Sequence, residues 1–158
     1  MSLNPKNYFH MAMVVPDFDA ACAELGRSAN LTWSPELVVD CPVWSARSGK
    51  VEIFAVRAIY SIEAPHMEVI RAIPDTIMEY IPGRPLHHVG YWADDLLKDS
   101  AALEEQGFPR VACAMVDGQM FGYAYHATRD GLLLELVDRA AFPDWEGFLH
   151  GRVKFGAN

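Results

Sequence analysis

Phe9–Asp17 reads F-H-M-A-M-V-V-P-D and Leu86–Asp95 reads L-H-H-V-G-Y-W-A-D-D. Each is an apolar run that begins at a histidine and ends in an acidic turn, the pattern of a β-strand leading into the N-cap of a helix. Each is answered downstream by a glutamate set inside an apolar strand, M-E-V-I at Glu68 and L-E-L-V at Glu135. The same two marks therefore occur twice in the same order, which makes the chain a degenerate tandem repeat.

Working outward, alternation over Tyr8–Val15 places His10, Ala12 and Val14 on one face. Asp17 can cap a helix from Asp19 to Leu25 that stops at Gly26. Strands over Thr32–Val39, Val51–Ile59 and His66–Ile73 complete a βαβββ unit. A short helical stretch, Thr76–Tyr80, then leads into Pro82-Gly83-Arg84-Pro85, a connector rich in turn residues. The pattern restarts with a strand over His87–Ala93, an Asp94 or Asp95 cap, a helix over Leu96–Gln106 and a stop at Gly107. Strands over Arg110–Val116, Met120–Ala127 and Leu132–Val137 follow, with Thr128–Gly131 as the last hairpin turn.

One βαβββ unit leaves a sheet face bare, so the expectation is an α+β fold in which two tandem modules form an open curved sheet around a central cleft. Residues 1–158 then make a single domain with halves at about 8–81 and 86–140. The tail 141–158, carrying Phe142, Trp145 and Phe148 at near-helical spacing, is expected to pack as a short terminal helix.

Composition narrows the partners. The chain has 158 residues, 51% hydrophobic and 22% charged, with a formal net charge of −8. That charge repels polyanions and argues against nucleic acid or an anionic membrane surface, leaving a small molecule as the expected partner. No apolar run approaches the roughly 20 residues that span a bilayer, and no signal-peptide pattern opens the sequence, so a cytoplasmic protein is expected. Cys22, Cys41 and Cys113 form no C-x-x-C pair and read as reduced, structural thiols.

The chemistry lies in the repeated residues. A lone histidine in an apolar strand is usually packed and satisfied, and a lone strand glutamate usually faces solvent. Repetition changes the balance, because Glu135 interrupts L-L-L-E-L-V, where a carboxylate is costly unless paired or metal-bound. His10, Glu68, His88 and Glu135, brought together by a pseudo-twofold axis, would suit one divalent ion such as zinc, nickel, cobalt, manganese or iron. Correspondence with His10 selects His88 over His87. His87, His66, His126 and His150 are assigned structural or surface roles. Glu52 alternates with Phe54 and Val56 and is a candidate general base for a carbon beside a carbonyl. Its alternative role is a strand-edge charge that limits aggregation.

With those residues in place, the sequence resembles the vicinal oxygen chelate superfamily, also called the glyoxalase/bleomycin resistance/dioxygenase family. The resemblance spans about Phe9 to Ala140 and rests on F-H-M-A-M-V-V-P-D, M-E-V-I-R-A-I-P, L-H-H-V-G-Y-W-A-D-D and D-G-L-L-L-E-L-V. It implies paired βαβββ modules, the ligand set His10, Glu68, His88 and Glu135, and a homodimer. The nearest look is to the group containing methylmalonyl-CoA epimerase, where G-K-V-E-I at Gly49–Ile53 is similar to a segment bearing an acid/base glutamate. Glu52 and Glu135 would then be the catalytic pair around a metal-stabilised enolate. The sequence departs from the family in lacking an aromatic pair before Gly26 and in carrying Trp33 and Trp44 soon after.

The resemblance thus implies a metal-dependent isomerase, epimerase or lyase acting on a small carbonyl compound or acyl thioester. Glyoxalase I is the alternative enzyme, and extradiol dioxygenase fits less well because Glu68 would be a surplus ligand. The alternative of another class is a bleomycin-resistance-type binding protein, which the four tryptophans favour and the complete ligand quartet disfavours. An anionic substrate such as a CoA or glutathione adduct would need a basic rim, with Lys50, Arg71, Arg84, Arg110 and Arg129 as its candidates.

Overall fold

The computed structural model describes residues 3–154. Strands β1 (Tyr8–Val15), β2 (Leu37–Ser45), β3 (Lys50–Tyr60) and β4 (His66–Arg71) form the first module with helix α1 (Phe18–Ser28). Strands β5 (Leu86–Ala93), β6 (Arg110–Val116), β7 (Gln119–Ala127) and β8 (Leu133–Asp138) form the second with α2 (Leu96–Glu105), and α3 (Trp145–Leu149) follows. Among the described residues no helix is long and apolar enough to cross a membrane.

The α+β architecture of two βαβββ modules is as expected, and both modules lie in one curved sheet ordered β1-β4-β3-β2-β6-β7-β8-β5. The sheet closes within a single chain. One seam is the antiparallel pairing of β1 with β5, and the other joins β2 to β6 through only Val43, Trp44 and Ser45 opposite Ala114, Cys113 and Ala112. Because residues 37–42 of β2 have no partner on β6, the barrel stays open along that side, and this opening is the cleft.

Each helix packs one apolar stripe on the sheet. Phe18, Ala21, Cys22 and Leu25 of α1 meet Val15, Ile59 and Val69, and Leu96 and Leu103 of α2 meet Cys113, Ala124 and Leu136, the spacing that buries one helix face. Asp17 and Asp95 cap the two helices, accepting hydrogen bonds from Ala20 N–H and Lys98 N–H. The terminal helix α3 packs Phe148 and Leu149 against Tyr60, as the aromatic spacing of the tail suggested. Residues 155–158 of that tail lie outside the described residues.

Four local expectations differ from the structure. Helix α1 passes through Gly26 to Ser28 and ends beside Asn30, whose φ of 53° takes the left-handed conformation that terminates helices. Gly26 instead lets the indole Nε1 of Trp33 approach closely. Strand β2 is Leu37–Ser45 and not Thr32–Val39, running through Pro42, where β3 is its only neighbouring strand and a missing N–H is tolerated. Strand β4 ends at Arg71, short of Ile73. Thr76–Tyr80 is a turn and not a helix, because Asp75 is left-handed and Thr76 Oγ1 takes the nearby backbone groups, donating to Ile73 O and accepting from Met78 N–H.

Candidate metal centre

The register of four adjacent strands assembles the site. Reading across β4, β1, β5 and β8, one row runs Glu68, Ala12, His88, Leu133, and the next runs His66, His10, Gly90, Glu135. In each module the glutamate therefore sits opposite the residue two places after the histidine, Ala12 in the first and Gly90 in the second. Gly90 makes room for a ring. The His10 imidazole lies over Gly90, where any Cβ would collide with Cε1 and Nδ1.

His10 and His88 are fully buried, and Glu68 and Glu135 are each 5% exposed. Their ligand-type atoms lie within 4.8 Å of one another. The two Nε2 atoms are 2.9 Å apart. His10 Nε2 is 3.1 Å from Glu135 Oε2 and 3.4 Å from Glu68 Oε2, while His88 Nε2 is 3.2 Å from both oxygens. Despite this proximity, neither carboxylate Oε2 has a hydrogen-bond partner of acceptable geometry among the described residues.

Two buried carboxylate oxygens without hydrogen bonds, facing two imidazole nitrogens that point at each other, are costly as they stand. A shared central cation resolves this. Ligand atoms about 2.1 Å from one ion stand about 3.0 Å apart at right angles and about 3.4 Å apart at the tetrahedral angle, close to the 2.9–3.4 Å edges that involve the two Nε2 atoms. The donor set of two imidazoles and two carboxylates, with no thiolate, suits a borderline or hard divalent ion.

His87 fixes the orientation of His88. Its Nε2–H donates to Ile77 O at 2.8 Å, which leaves Nδ1 as the acceptor for His88 Nδ1–H at 2.9 Å. Burial, reinforced by the charge of His88, holds His87 neutral with its pKa down at about 4. The lone pair of His88 Nε2 is thereby turned toward the carboxylates, the arrangement of a ligand held by an outer hydrogen bond.

Without a cation, the cluster stores its charge as ion pairs. Burial opposes protonation of His10 and His88, but Glu68 and Glu135 outweigh it and raise both, His88 to about 9. Burial likewise disfavours ionisation of the two glutamates, yet the histidines hold both well below the usual carboxylate range.

Glu68 and Glu135 line a cavity of about 480 Å3 that opens through the gap between β2 and β6. Tyr60, Tyr123 and Tyr125 line it as well, and burial raises the pKa of all three phenols well above its ordinary value. Glu52 is not brought to this site. It lies on the inward-facing register of β3 with Phe54 and Val56, as alternation indicated, but at the exposed end of the strand, where it accepts a hydrogen bond from Ser48 Oγ at 2.6 Å. Glu52 is absent from the cavity wall.

The other histidines are satisfied elsewhere. His66 hydrogen bonds Ser61 O and receives Trp145 Nε1–H. His126 bridges Phe108 O and Ser100 Oγ, tying β7 to α2, and His150 lies 3.8 Å from Glu146. The three cysteines are free, and Cys41 is the one on the cavity wall. Ala12, Gly90 and the clamp formed by His87 were not identified from sequence, although H-M-A and H-V-G show the first two as a small residue two places after each histidine.

The sequence profile of the Glyoxalase/Bleomycin resistance protein/Dioxygenase superfamily matches residues 9–125, which include His10, Glu68 and His88. The chain belongs to this superfamily. A search of curated proteins found no match. Solved structures similar to this superfamily member include a methylmalonyl-CoA epimerase in complex with methylmalonyl-CoA and NH4+, at 18% identity and a TM-score of 0.60, covering 89% of this chain and 97% of that one. A variant of the Streptomyces coelicolor methylmalonyl-CoA epimerase in complex with 2-nitronate-propionyl-CoA has 16% identity and a TM-score of 0.59, covering 87% and 98%. The Mycobacterium tuberculosis methylmalonyl-CoA epimerase has 14% identity and a TM-score of 0.60, covering 87% and 91%. At these identities the likeness is one of fold, and members of the superfamily commonly bind a divalent metal.

Proposed function

We propose that this protein is a metal-dependent isomerase or epimerase that moves a proton at the carbon beside a carbonyl group of a small substrate. The observation that carries the reading is the convergence of four buried ligand side chains, whose two carboxylate Oε2 atoms have no hydrogen-bond partner among the described residues, beside a cavity that Glu68 and Glu135 line and that is large enough for a small molecule. His10, Glu68, His88 and Glu135 would hold one divalent ion, which when bound acts as a Lewis acid on a carbonyl oxygen and so acidifies the neighbouring C–H.

The chain's own residues supply the rest. Glu135 is the carboxylate of the two sequence candidates that faces the cavity, and it takes the proton from one carbon and delivers it to the neighbouring one on the same face. This is the one-base course of an isomerisation, whereas an epimerisation would require a second proton donor on the opposite face. The hydroxyls of Tyr60, Tyr123 and Tyr125 stay protonated near neutral pH and serve as hydrogen-bond donors, not as bases. The apolar wall around them excludes water, which strengthens each electrostatic contact inside. A binding-only cleft of the bleomycin-resistance type would gain nothing from burying two carboxylates at its base.

Deuterium exchange in D2O tests this reading. The reconstituted protein is expected to exchange the carbon-bound proton of at least one member of a panel containing methylmalonyl-CoA, a glutathione hemithioacetal and a neutral hydroxyketone, followed by proton NMR. Glu135→Gln is expected to lose that exchange, and exchange at the wild-type rate in this variant would remove Glu135 as the base.

A further inference from the structure

We infer that the cavity takes an uncharged, mainly apolar carbonyl compound built on fused rings, and not a CoA thioester or a glutathione adduct. This rests on the proposed proton-transfer function and names the substrate class of the same site.

Charge is the first argument. Among the described residues lining the cavity, Lys154 is the single cation, whereas Asp40, Asp144, Glu68 and Glu135 are all acidic. One divalent ion at the quartet would still leave the lining acidic. A ligand carrying several phosphate or carboxylate charges is repelled by such walls.

None of the basic residues expected as a rim, Lys50, Arg71, Arg84, Arg110 and Arg129, lines this cavity. Arg84 donates to Gly131 O and lines a separate cavity. Arg110 contacts Ser100 Oγ and lies beside Glu104 at helix α2. Arg139, next to the lining residue Ala140, is held by Asp94 and lies over the Trp92 ring.

Shape and wall chemistry are the second argument. Phe121, Tyr123, Phe142 and Phe148 line the cavity together with Val39 and Ile70, giving flat aromatic and branched aliphatic surfaces. A volume of about 480 Å3 lies within the range that encloses a small organic ligand. Beside the two carboxylates the wall offers a neutral polar group. Tyr123 Oη is buried there with only the Cys41 thiol beside it among the described residues, and it can turn to donate to a ligand oxygen.

The experiment is a comparative titration of the metal-reconstituted protein by tryptophan fluorescence, with calorimetry as the second readout. The probes are 1-hydroxy-2-acetonaphthone, a neutral bicyclic hydroxyketone, and propionyl-CoA. The ring probe should bind at least about tenfold more tightly than propionyl-CoA. Val39→Trp, which fills the cavity, should weaken the ring probe by about tenfold or more with metal content unchanged. Phe121→Lys, at an exposed position on the mouth, should narrow the gap between the probes. Propionyl-CoA binding as tightly as the ring probe, or ring-probe affinity unmoved in both variants, would overturn the inference. Repeating the titration on metal-free protein separates the two readings. Ring binding that survives in a chain unable to hold metal supports this ligand class while the catalytic reading falls, whereas metal uptake and proton exchange with a preference for CoA does the reverse.

Discussion

Gly90 stands directly across the β1–β5 ladder from His10, and the imidazole of His10 occupies the space a side chain at position 90 would need. A glycine inside a strand weakens it unless something must approach the backbone closely, and here that something is one of the four converging side chains. Gly90→Ala is therefore expected to displace the His10 ring and reduce divalent-metal affinity by about 10–100-fold. Chelator-competition titration measures this, with circular dichroism to confirm that the barrel persists. Unchanged affinity would show that the ring position is not what Gly90 protects.

His87 makes a separate prediction, because it acts on the metal site only through His88. His87→Leu removes the acceptor for His88 Nδ1–H and should lower metal affinity by about 10–100-fold. His87→Gln, which retains an acceptor, should recover part of the loss. Equal affinities in both variants and the wild type would assign His87 a packing role alone.

Much of this arrangement was legible in the sequence. Strands β1 and β6 coincide with their expected bounds, since both are largely apolar runs flanked by turn residues. His10, Glu68, His88 and Glu135 were visible because duplication marked them twice, and the structure brings all four together. Among the features that escaped, two have a plain physical reason. Strand β2 carries Asp40 and Pro42, which break the apolar pattern, and this is tolerated because β2 there borders the open cleft. Alternation assigned Glu52 to the correct face of β3 but carries no information about height along the strand, which decides whether a side chain reaches the cavity.

That difference for Glu52 can be measured. Glu52→Gln should change proton-exchange activity by less than about twofold and stability by within about 0.5 kcal/mol, as for an exposed substitution. Loss of activity in this variant with metal content intact would restore Glu52 as an acid/base group.

The ion pairs of the metal-free cluster predict a pH dependence. Burial disfavours the charged form of His88, but Glu135 and Glu68 raise its pKa from 6.5 to about 9. A group whose folded pKa is raised contributes stability that is complete below the unfolded value and lost as pH rises through the folded one. The Tm of metal-free protein should therefore fall between pH 6.5 and about 9. Neutral His87, whose folded pKa is lowered to about 4, adds no variation in that window. The decline should be absent from a Glu68→Gln, Glu135→Gln double variant. Metal uptake at neutral pH should release protons, because ligation requires neutral imidazoles. A flat Tm profile with no proton release would contradict the charged cluster.

The most direct test of the central claim is elemental analysis by plasma mass spectrometry of protein purified without chelators or added metal, beside a His10→Ala, Glu135→Ala double variant. About one divalent ion per chain is predicted for the wild type, with nearly complete loss in the variant. A wild-type chain that holds no metal even after reconstitution with zinc, nickel, cobalt, manganese or iron would contradict the assignment of this buried quartet as a metal centre.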